Sequence, residues 1–363
     1  MGSICNLKNG TVIGDYRNPY IIAEVNTSHG GSVETAKSMI DEVKRVGCNC
    51  VKFQSWTAET LYSKTYYDAN PISKRIVSKM ALSEEDLLEL SQYCISQGID
   101  FASTPYSPKE VDFLAGPGKA PFIKVASMDI NNIPFLQHIA ATGMPIVLST
   151  GMADMEEIAN AIRAIEDMGN HSICLLHCIS IYPAEVGTIN LNNILGLREA
   201  FPSYPVGFSD HSLGVEMATG AVALGACVIE KHFTLDRGKI GMDNGMAIEP
   251  NEMALLVSSC RNVHKALGSK ERTVLPIEQQ QRLKMRRSIV AARDLRAGAV
   301  LSAGDLGAKR PGTGIEPAMM NCLIGKTVII QLAKAVTDFT PTNEELKAVC
   351  DFRVNVVTTR RPV

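Results

Sequence analysis

The sequence predicts an α/β protein: a (β/α)8 TIM barrel followed by a smaller domain of a different kind. Eight short apolar runs alternate with helical patterns, and nearly every run ends in polar side chains. Strands of a parallel barrel point their carboxyl ends at one mouth, where barrel enzymes carry their active sites. The predicted strands are Tyr20–Val25, Asn49–Gln54, Ile99–Thr104, Phe122–Ser127, Pro145–Thr150, Ser172–Cys178, Tyr204–Asp210 and Cys227–His232.

The spacing of these runs supports the barrel. Their ends lie 22–31 residues apart, about one βα unit each, except for an interval of 50 residues after Gln54. That interval contains Trp56–Met80, which has no clear period and is predicted to be an insertion covering the mouth. The predicted helices are Glu34–Val46, Ser83–Gln97, Ile133–Thr142, Met155–Met168, Leu191–Ala200, Val215–Leu224 and Asn251–Leu267.

The pattern changes after Gly268, which divides the chain into regions. Residues 1–268 match the roughly 250 residues of a TIM barrel. Residues 269–284 are charged and rich in Gln, which predicts a linker. In residues 285–350, short β-type runs are broken by Gly and Asp-Leu turns, which predicts a small mostly-β domain. Residues 351–363 are predicted to be a loosely held tail.

Composition argues against several classes of function. A net charge of −2 and a pI near 6.4 give no electrostatic case for nucleic acid or an anionic membrane. No apolar run of 18 residues and no signal-peptide core are present, so we expect a cytoplasmic protein. The ten cysteines are scattered, which favours reduced buried thiols over a disulfide framework.

The strand ends carry groups suited to an anionic substrate. Lys52 and Lys124 supply positive charge, and five hydroxyls could donate hydrogen bonds. Glu24 ends the first strand, where low-dielectric walls would perturb a carboxylate enough to move protons. His211 and His232 close neighbouring strands and could together bind a divalent metal. The five hydroxyl residues are Thr104, Ser127, Ser149, Ser180 and Ser209.

Several stretches resemble the sialic acid synthase family, which condenses phosphoenolpyruvate with an N-acylated hexosamine such as N-acetylmannosamine. They are Ile22-Ala-Glu-Val, Val51-Lys-Phe-Gln, Ser103-Thr-Pro, Lys124-Val-Ala-Ser, Ser149-Thr-Gly-Met, Ile181-Tyr-Pro, Phe208-Ser-Asp-His-Ser and Glu230-Lys-His-Phe-Thr. Lys309-Arg-Pro-Gly-Thr-Gly resembles the antifreeze-like (SAF) domain of that family. The resemblance extends in order over about nine tenths of the chain.

The resemblance implies a role for each site residue. Glu24 would be the general acid/base, with Lys52, Lys124 and Asp243 also catalytic. His211 and His232 would bind Mn²⁺ or Mg²⁺, which polarises the sugar aldehyde. The phosphoenolpyruvate set would be Lys52, Thr104, Lys124, Ser127, Ser149, Ser180 and Ser209, and the sugar set Gln54, Asp129, Tyr182, Asp243 and Arg310. Arg310 would reach the partner's sugar within a domain-swapped homodimer.

The chain departs from the family pattern mainly near the sugar end. Asp129 stands where Glu is usual, and the segments after Glu24 and around Asp243 also differ. A legionaminic or pseudaminic acid synthase therefore remains an alternative. So do a phosphorylated sugar acceptor, held by Lys64, Lys74 and Arg75, and a Schiff-base aldolase using Lys52 or Lys124. A non-catalytic carbohydrate-binding protein is a further alternative.

Overall fold

The structure is a computed structural model that describes residues 2–116, 119–239, 241–329 and 332. The chain divides between Gly268 and Ser269 into two compact units. No helix in the described ranges is long and apolar enough to cross a membrane.

The first unit is built around eight parallel strands, which confirms the predicted barrel. The sheet order is β5-β4-β3-β10-β9-β8-β7-β6, and β5 and β6 also contact each other, so the barrel is nearly closed. The barrel strands are β3 (Tyr20–Glu24), β4 (Cys50–Ser55), β5 (Asp100–Pro105), β6 (Ile123–Val125), β7 (Ile146–Ser149), β8 (Ile173–Cys178), β9 (Val206–Asp210) and β10 (Val228–His232).

Alternation of side chains along the strands divides the core into two layers. On β3, Ile21 and Ala23 pack outward against the helices, whereas Ile22 lies in the barrel interior. An antiparallel hairpin, β1 (Ile4–Asn6) and β2 (Val12–Gly14), contributes Cys5 and Ile13 to the interior cluster. This cluster fills the interior of the barrel at the end where the strands begin.

Helices cover the outside of the barrel, as the sequence predicted, with two differences. No helix was predicted between the third and fourth strands, where the structure has α6. The sequence also predicted no regular structure for Trp56–Met80, which contains α2, α3 and α4. The helices of this unit are α1 (Val33–Arg45), α2 (Ala58–Leu61), α3 (Lys64–Ala69), α4 (Pro71–Met80), α5 (Glu84–Gln97), α6 (Pro108–Ala115), α7 (Ile133–Ala141), α8 (Met155–Glu166), α9 (Asn193–Ala200), α10 (Glu216–Ala223) and α11 (Pro250–Leu267).

The second unit has a small core of its own. Strands β11 (Ser288–Ala291) and β12 (Leu306–Lys309) pair antiparallel, and Ile289, Leu301 and Leu323 are buried beside them. Its helices are α12 (Pro276–Met285), which occupies much of the predicted linker 269–284, and α13 (Met320–Leu323). Residues 330, 331 and 333–350 of the predicted small domain, and the whole of the predicted tail 351–363, lie outside the described residues.

Candidate active site

A cavity of about 460 Å³ opens at the carboxyl ends of the barrel strands. The barrel folds so that polar residues at the strand ends converge there, while the opposite end is filled by the hairpin. Twelve of the predicted site residues line it: Glu24, Lys52, Gln54, Thr104, Lys124, Ser127, Ser149, Tyr182, Ser209, His211, His232 and Asp243.

Four ionisable side chains form a buried cluster in this cavity, which we call the charge quartet: Glu24, Lys52, Lys124 and Glu230. Lys52 pairs directly with Glu24, and its Nζ lies 3.8 Å from Glu230 Oε2. Lys124 Nζ lies 3.8 Å from the other oxygen, Glu230 Oε1. All four side chains are at least 95% buried. Two positive and two negative charges therefore balance each other inside the barrel.

Hydroxyl groups complete the surroundings of the quartet. Lys52 Nζ donates to Thr104 Oγ1 at 3.0 Å, and Lys124 Nζ donates to Ser149 Oγ at 2.7 Å. Ser209 Oγ donates to Glu230 Oε1 at 3.0 Å. The hydroxyls thus hold both ends of the cluster in place. They also lie where an anion binding to the lysines would accept further hydrogen bonds.

The two carboxyls of the quartet have different proton affinities. Burial raises the pKa of Glu24, helped by the nearby charge of Glu230, even though Lys52 acts in the opposite direction. Burial would also raise the pKa of Glu230, but Lys124 and Lys52 outweigh it and lower that pKa. Burial lowers the pKa of Lys124. Glu24 is therefore the carboxyl suited to exchange protons, and Glu230 is the one that stays ionised.

The hydroxyls of Ser127 and Ser180 lie close to Gly151, which has no side chain. Gly151 N donates to Ser127 Oγ at 3.0 Å. A Cβ atom on Gly151 would collide with the hydroxyls of Ser127 and Ser180 and would touch Cys178 Sγ at 3.0 Å. Ser180 does not line the cavity itself, but its Oγ lies 3.7 Å from Cys178 Sγ, which does. The absence of a side chain at Gly151 is what allows these groups to approach one another.

The histidine pair has a donor set that fits a divalent ion. The rings of His211 and His232 are 5.3 Å apart, and both line the cavity. His211 Nδ1 lies 2.7 Å from Ile179 O, so we assign the proton to Nδ1 and the lone pair to Nε2. Burial holds the pKa of His232 well below its usual value, which favours the neutral form that ligates metals. Burial would also lower the pKa of His211, but Cys178 and the carbonyl of Ile179 outweigh it and raise that pKa.

The remaining ligands of a divalent ion would have to come from groups other than the two histidines. Asp243 Oδ2 lies 3.6 Å from His232 Nδ1. Within the described residues, no group of three or more His, Cys, Asp and Glu side chains is arranged to hold an ion by itself. Two imidazole ligands leave most coordination positions of a divalent ion open for water and substrate.

Gln54 is fixed by three neighbours. Its Oε1 accepts hydrogen bonds from Tyr106 Oη at 3.0 Å and Trp56 Nε1 at 3.2 Å. Its Nε2 donates to Glu24 Oε1 at 3.3 Å. Tyr182 stacks against His211, with ring centres 4.2 Å apart.

The two segments that depart from the family pattern contact each other. Asn26 Nδ2 donates to Asp243 Oδ2, Met242 N donates to Thr27 Oγ1 at 3.0 Å, and Ser28 Oγ donates to Asn244 Oδ1 at 2.5 Å. The substitutions after Glu24 and those around Asp243 therefore form one local unit. We call it the Asn26–Asn244 contact.

Two predicted sugar-binding residues do not line the cavity. Asp129 lies in a 3-10 turn after β6 and is partly buried; it accepts a long hydrogen bond, 3.4 Å, from Asn132 Nδ2. Arg310 belongs to the second unit and follows β12. Their predicted contacts with the sugar stay predictions.

Sequence reasoning missed several cavity residues, of which Glu230 is the most important. It precedes His232 by two positions on β10, so both side chains face the same side of the strand. That alternation was visible in the sequence and could have identified Glu230. Asn26, Trp56, Tyr106 and Cys178 also line the cavity. The position of Asn26 depends on contacts with residues more than 200 positions away, which no local pattern reveals.

A second cavity, of about 960 Å³, lies among α2, α3 and α4. Tyr62 lines both cavities. Lys64, Lys74 and Arg75 line this second cavity, as do Glu59 and Asp68. Lys64 Nζ pairs with Asp68 Oδ2 at 2.7 Å, so part of the positive charge is neutralised.

Fold and site together define a class: a TIM-barrel enzyme whose mouth carries paired lysines, paired carboxylates and a histidine pair. Comparison with known proteins narrows this class. The model of the NeuB family matches residues 39–272, and that of the SAF domain matches residues 286–335. The chain belongs to the NeuB family. The predicted family and the predicted second domain are thereby confirmed.

Several of the relatives are named as synthases. The N,N'-diacetyllegionaminic acid synthase of Legionella pneumophila is 39% identical over 88% of this chain and 92% of that protein. The N-acetylneuraminate-9-phosphate synthase of Drosophila melanogaster is 35% identical over 80% of this chain and 86% of that protein. A solved N-acetylneuraminic acid synthetase from Leptospira borgpetersenii aligns with a TM-score of 0.71 at 33% identity, covering 77% of this chain and 95% of that one. The prediction that the chain is a transferase is confirmed, and the non-catalytic alternative is wrong.

Proposed function

We propose that the protein condenses phosphoenolpyruvate with an N-acylated hexosamine of the N-acetylmannosamine type, giving a nine-carbon 2-keto sugar acid and phosphate. The observation that carries this proposal is the charge quartet. Two buried lysines backed by hydroxyls suit a small substrate with a phosphate and a carboxylate. Two carboxyls with opposite pKa shifts suit a reaction that moves protons and passes through a cation.

The quartet would bind and orient phosphoenolpyruvate. Lys52 with Thr104, and Lys124 with Ser149, would hold its anionic groups, while Ser127, Ser180 and Ser209 would donate further hydrogen bonds. Because these groups are buried and fixed before substrate arrives, little reorganisation is needed during the reaction. The lysines would exchange part of their attraction to Glu230 for attraction to the ligand.

The reaction then requires one carbon–carbon bond to form and one carbon–oxygen bond to break. C3 of phosphoenolpyruvate attacks the open-chain aldehyde, whose oxygen takes up a proton from solvent water, and C2 becomes cationic. Glu230, which stays ionised, would stabilise that charge. Water adds at C2 and loses a proton to Glu24, giving a tetrahedral intermediate. Its C2–O bond to phosphate breaks, the phosphate leaves, and the C2 hydroxyl loses its proton to form the ketone.

His211 and His232 would hold a divalent ion, Mn²⁺ or Mg²⁺, at this site. Such an ion supplies Lewis acidity toward the aldehyde oxygen. Asp243 lies beside His232 and, together with Gln54 and Tyr182, would contact the sugar hydroxyls. Asp129 would reach the sugar from the edge of the site. Its side chain is shorter than that of Glu by about 1.5 Å, a bond-length scale.

The acceptor is the less constrained part of the proposal. A di-acylamino hexose, giving legionaminic or pseudaminic acid, is the main alternative. The residues that depart from the family pattern, namely those of the Asn26–Asn244 contact and Asp129, belong to the part of the site where the sugar would bind. The legionaminic acid synthase among the relatives supports this alternative. The cavity that shares Tyr62 with the active site favours a second alternative. Lys64, Lys74 and Arg75 would there meet the phosphate of a phosphorylated acceptor.

We further propose that a partner subunit covers the mouth in a domain-swapped homodimer. Large apolar side chains stand exposed on loops around the mouth, an unusual feature for a surface that faces only water. They include Met128 (57% exposed), Met152 (70%), Ile181 (55%) and Leu213 (56%). Arg310 of the partner would then orient the N-acyl carbonyl, as an Arg fork can. Light scattering of the purified protein tests the dimer, and a monomeric mass would contradict it.

An isotope experiment tests the proposed reaction. Phosphoenolpyruvate carrying ¹⁸O in its C2–O–P bridge is converted with N-acetylmannosamine, and the phosphate is analysed by mass spectrometry. Cleavage of the C–O bond leaves the label in phosphate, as the proposal requires. Label lost from phosphate would mean P–O cleavage and would contradict it. Lys124→Met should abolish turnover, whereas Lys44→Met, on an exposed lysine of α1, serves as the matched control.

A further inference from the structure

A buried ion pair lies on β9 and β10 beside the histidine pair, and the proposed mechanism does not use it. Lys231 Nζ lies 2.8 Å from Asp210 Oδ2, and their side chains are 1% and 0% exposed. The two residues are direct partners across the parallel β9–β10 ladder. Lys231 is among the largest fully buried side chains of the protein.

The position of this pair in the sequence is informative. Asp210 immediately precedes His211, and Lys231 immediately precedes His232. Side chains alternate along a strand, so Ser209, His211, Glu230 and His232 line the cavity while the ion pair lies on the opposite side of the sheet. The pair therefore joins the two strands directly behind the two histidines.

The same ion pair also forms hydrogen bonds with Ser212, the residue that follows His211. Asp210 Oδ1 accepts hydrogen bonds from Ser212 N at 2.9 Å and Ser212 Oγ at 2.6 Å. Lys231 Nζ donates to Ser212 O. His211 thus stands between two residues that are both tied to Lys231. We call Asp210, Ser212 and Lys231 the clamp.

Stability alone is a weak explanation for such an arrangement. Taking two charges out of water is expensive, and apolar residues of similar volume often do as well or better for stability. Groups that orient metal-binding histidines, by contrast, typically change metal affinity by 10–100-fold when they are removed. The clamp joins the two backbone segments that carry the histidines.

We propose that Asp210, Ser212 and Lys231 are positioning residues that set the spacing of His211 and His232 for a divalent cation. This inference rests on the proposed function, because the metal site is part of it. The clamp acts through the histidines and touches neither the cation nor the substrate. Its removal should therefore change metal affinity more than it changes folding.

The test is Mn²⁺ binding to the purified full-length protein, followed by electron paramagnetic resonance of the free ion. The double variant Asp210→Asn/Lys231→Met removes both charges and keeps the side chains close in size. We expect its dissociation constant for Mn²⁺ to rise by about 10–100-fold. The matched control is Asp15→Asn/Arg198→Met. It removes an ion pair between the buried Asp15 and the partly buried Arg198 near the other end of β9, where Asp15 Oδ1 accepts from Val206 N.

A change of less than threefold in the clamp variant, or an equal loss in the control, would overturn the proposal. If the double variant does not fold, Ser212→Ala and Ser212→Thr decide the question. The Ala variant loses the hydroxyl bonded to Asp210 and should bind Mn²⁺ several-fold more weakly, whereas Thr keeps that hydroxyl and should restore binding. Equal affinities in these two variants would again overturn it. Wild-type protein that releases phosphate from phosphoenolpyruvate in the presence of EDTA, and binds no Mn²⁺, would refute the metal site but leave the condensation intact.

Discussion

Glu230 should be needed for stability mainly when the active site is empty. Its two oxygens lie 3.8 Å from Lys52 Nζ and from Lys124 Nζ. At an effective dielectric constant of about 20, each separation corresponds to an attraction of about 4 kcal/mol. Glu230→Gln keeps the size of the side chain and an acceptor for Ser209, but it removes the charge. Lys52 retains Glu24 as a partner, so the loss falls mainly on Lys124.

The expected cost follows from this arrangement. Removing one member of a buried ion pair lowers the free energy of unfolding by about 3–5 kcal/mol. That is a large part of the about 5–15 kcal/mol that stabilises a typical domain. Phosphoenolpyruvate would bring negative charge to the same lysines. At a saturating concentration of this ligand, we therefore expect the difference between variant and wild type to fall to about 1 kcal/mol or less.

Urea unfolding measures this effect, and the chain offers a convenient probe. Trp56 is the only tryptophan in the sequence and is 4% exposed in the barrel unit, so its fluorescence reports on that unit. Glu110→Gln is the matched control. Glu110 is also a buried carboxyl, and it accepts from Tyr106 N at 2.8 Å rather than pairing with either lysine of the quartet. A loss in Glu230→Gln that is the same with and without phosphoenolpyruvate would refute the reasoning.

Four further predictions follow from individual contacts. Burial lowers the pKa of His29 to about 4, so the unfolded chain binds a proton below about pH 6.5 that the folded chain does not. The free energy of unfolding should therefore fall by about 2 kcal/mol between pH 7 and 5 because of His29. Urea titrations of His29→Asn should show a correspondingly smaller fall. The same pH dependence in the variant and the wild type would contradict this assignment. Asn26→Gly keeps the positive φ of 35° but loses the contact with Asp243. This variant should raise KM for the sugar by about fivefold in steady-state assays without changing KM for phosphoenolpyruvate. A change in both KM values would contradict the assignment of Asp243 to the sugar-binding part of the site. Gly151→Ala should weaken binding of phosphoenolpyruvate by at least tenfold in calorimetry, because its Cβ would displace Ser127 and Ser180; unchanged binding would exclude these hydroxyls. Borohydride with pyruvate should leave the masses of the peptides containing Lys52 and Lys124 unchanged, whereas a reduced adduct would support the Schiff-base aldolase.

The barrel could be predicted because each strand is short, apolar and followed by a polar group. The helices of the insertion after β4 could not be predicted, because α2 and α3 have only four and six residues, too few to show a helical period. The starts of α2 and α3 were nevertheless visible in the sequence, because Thr and Ser are common helix-capping residues. In the structure, Thr57 and Ser63 accept hydrogen bonds at these two helix starts. Pro71 at the first position of α4 was a further signal.

The candidate site was predictable to the extent that it depends on strand ends. Lys52, Lys124 and the two histidines occupy such positions and converge as expected. Glu230 was overlooked because attention to the last residue of each strand ignored the residue two places earlier. The Asn26–Asn244 contact joins segments more than 200 residues apart, and only the folded chain brings them together.

The most direct test of the proposed condensation is the release of phosphate from phosphoenolpyruvate. Metal-loaded protein is assayed with N-acetylmannosamine, with its 6-phosphate and with the di-acylamino hexoses that precede legionaminic and pseudaminic acids, each with and without EDTA. We predict release that depends on one acceptor and is abolished by EDTA, and that acceptor would identify the product. Folded, metal-loaded protein that releases no phosphate with any of these sugars would contradict the proposed reaction.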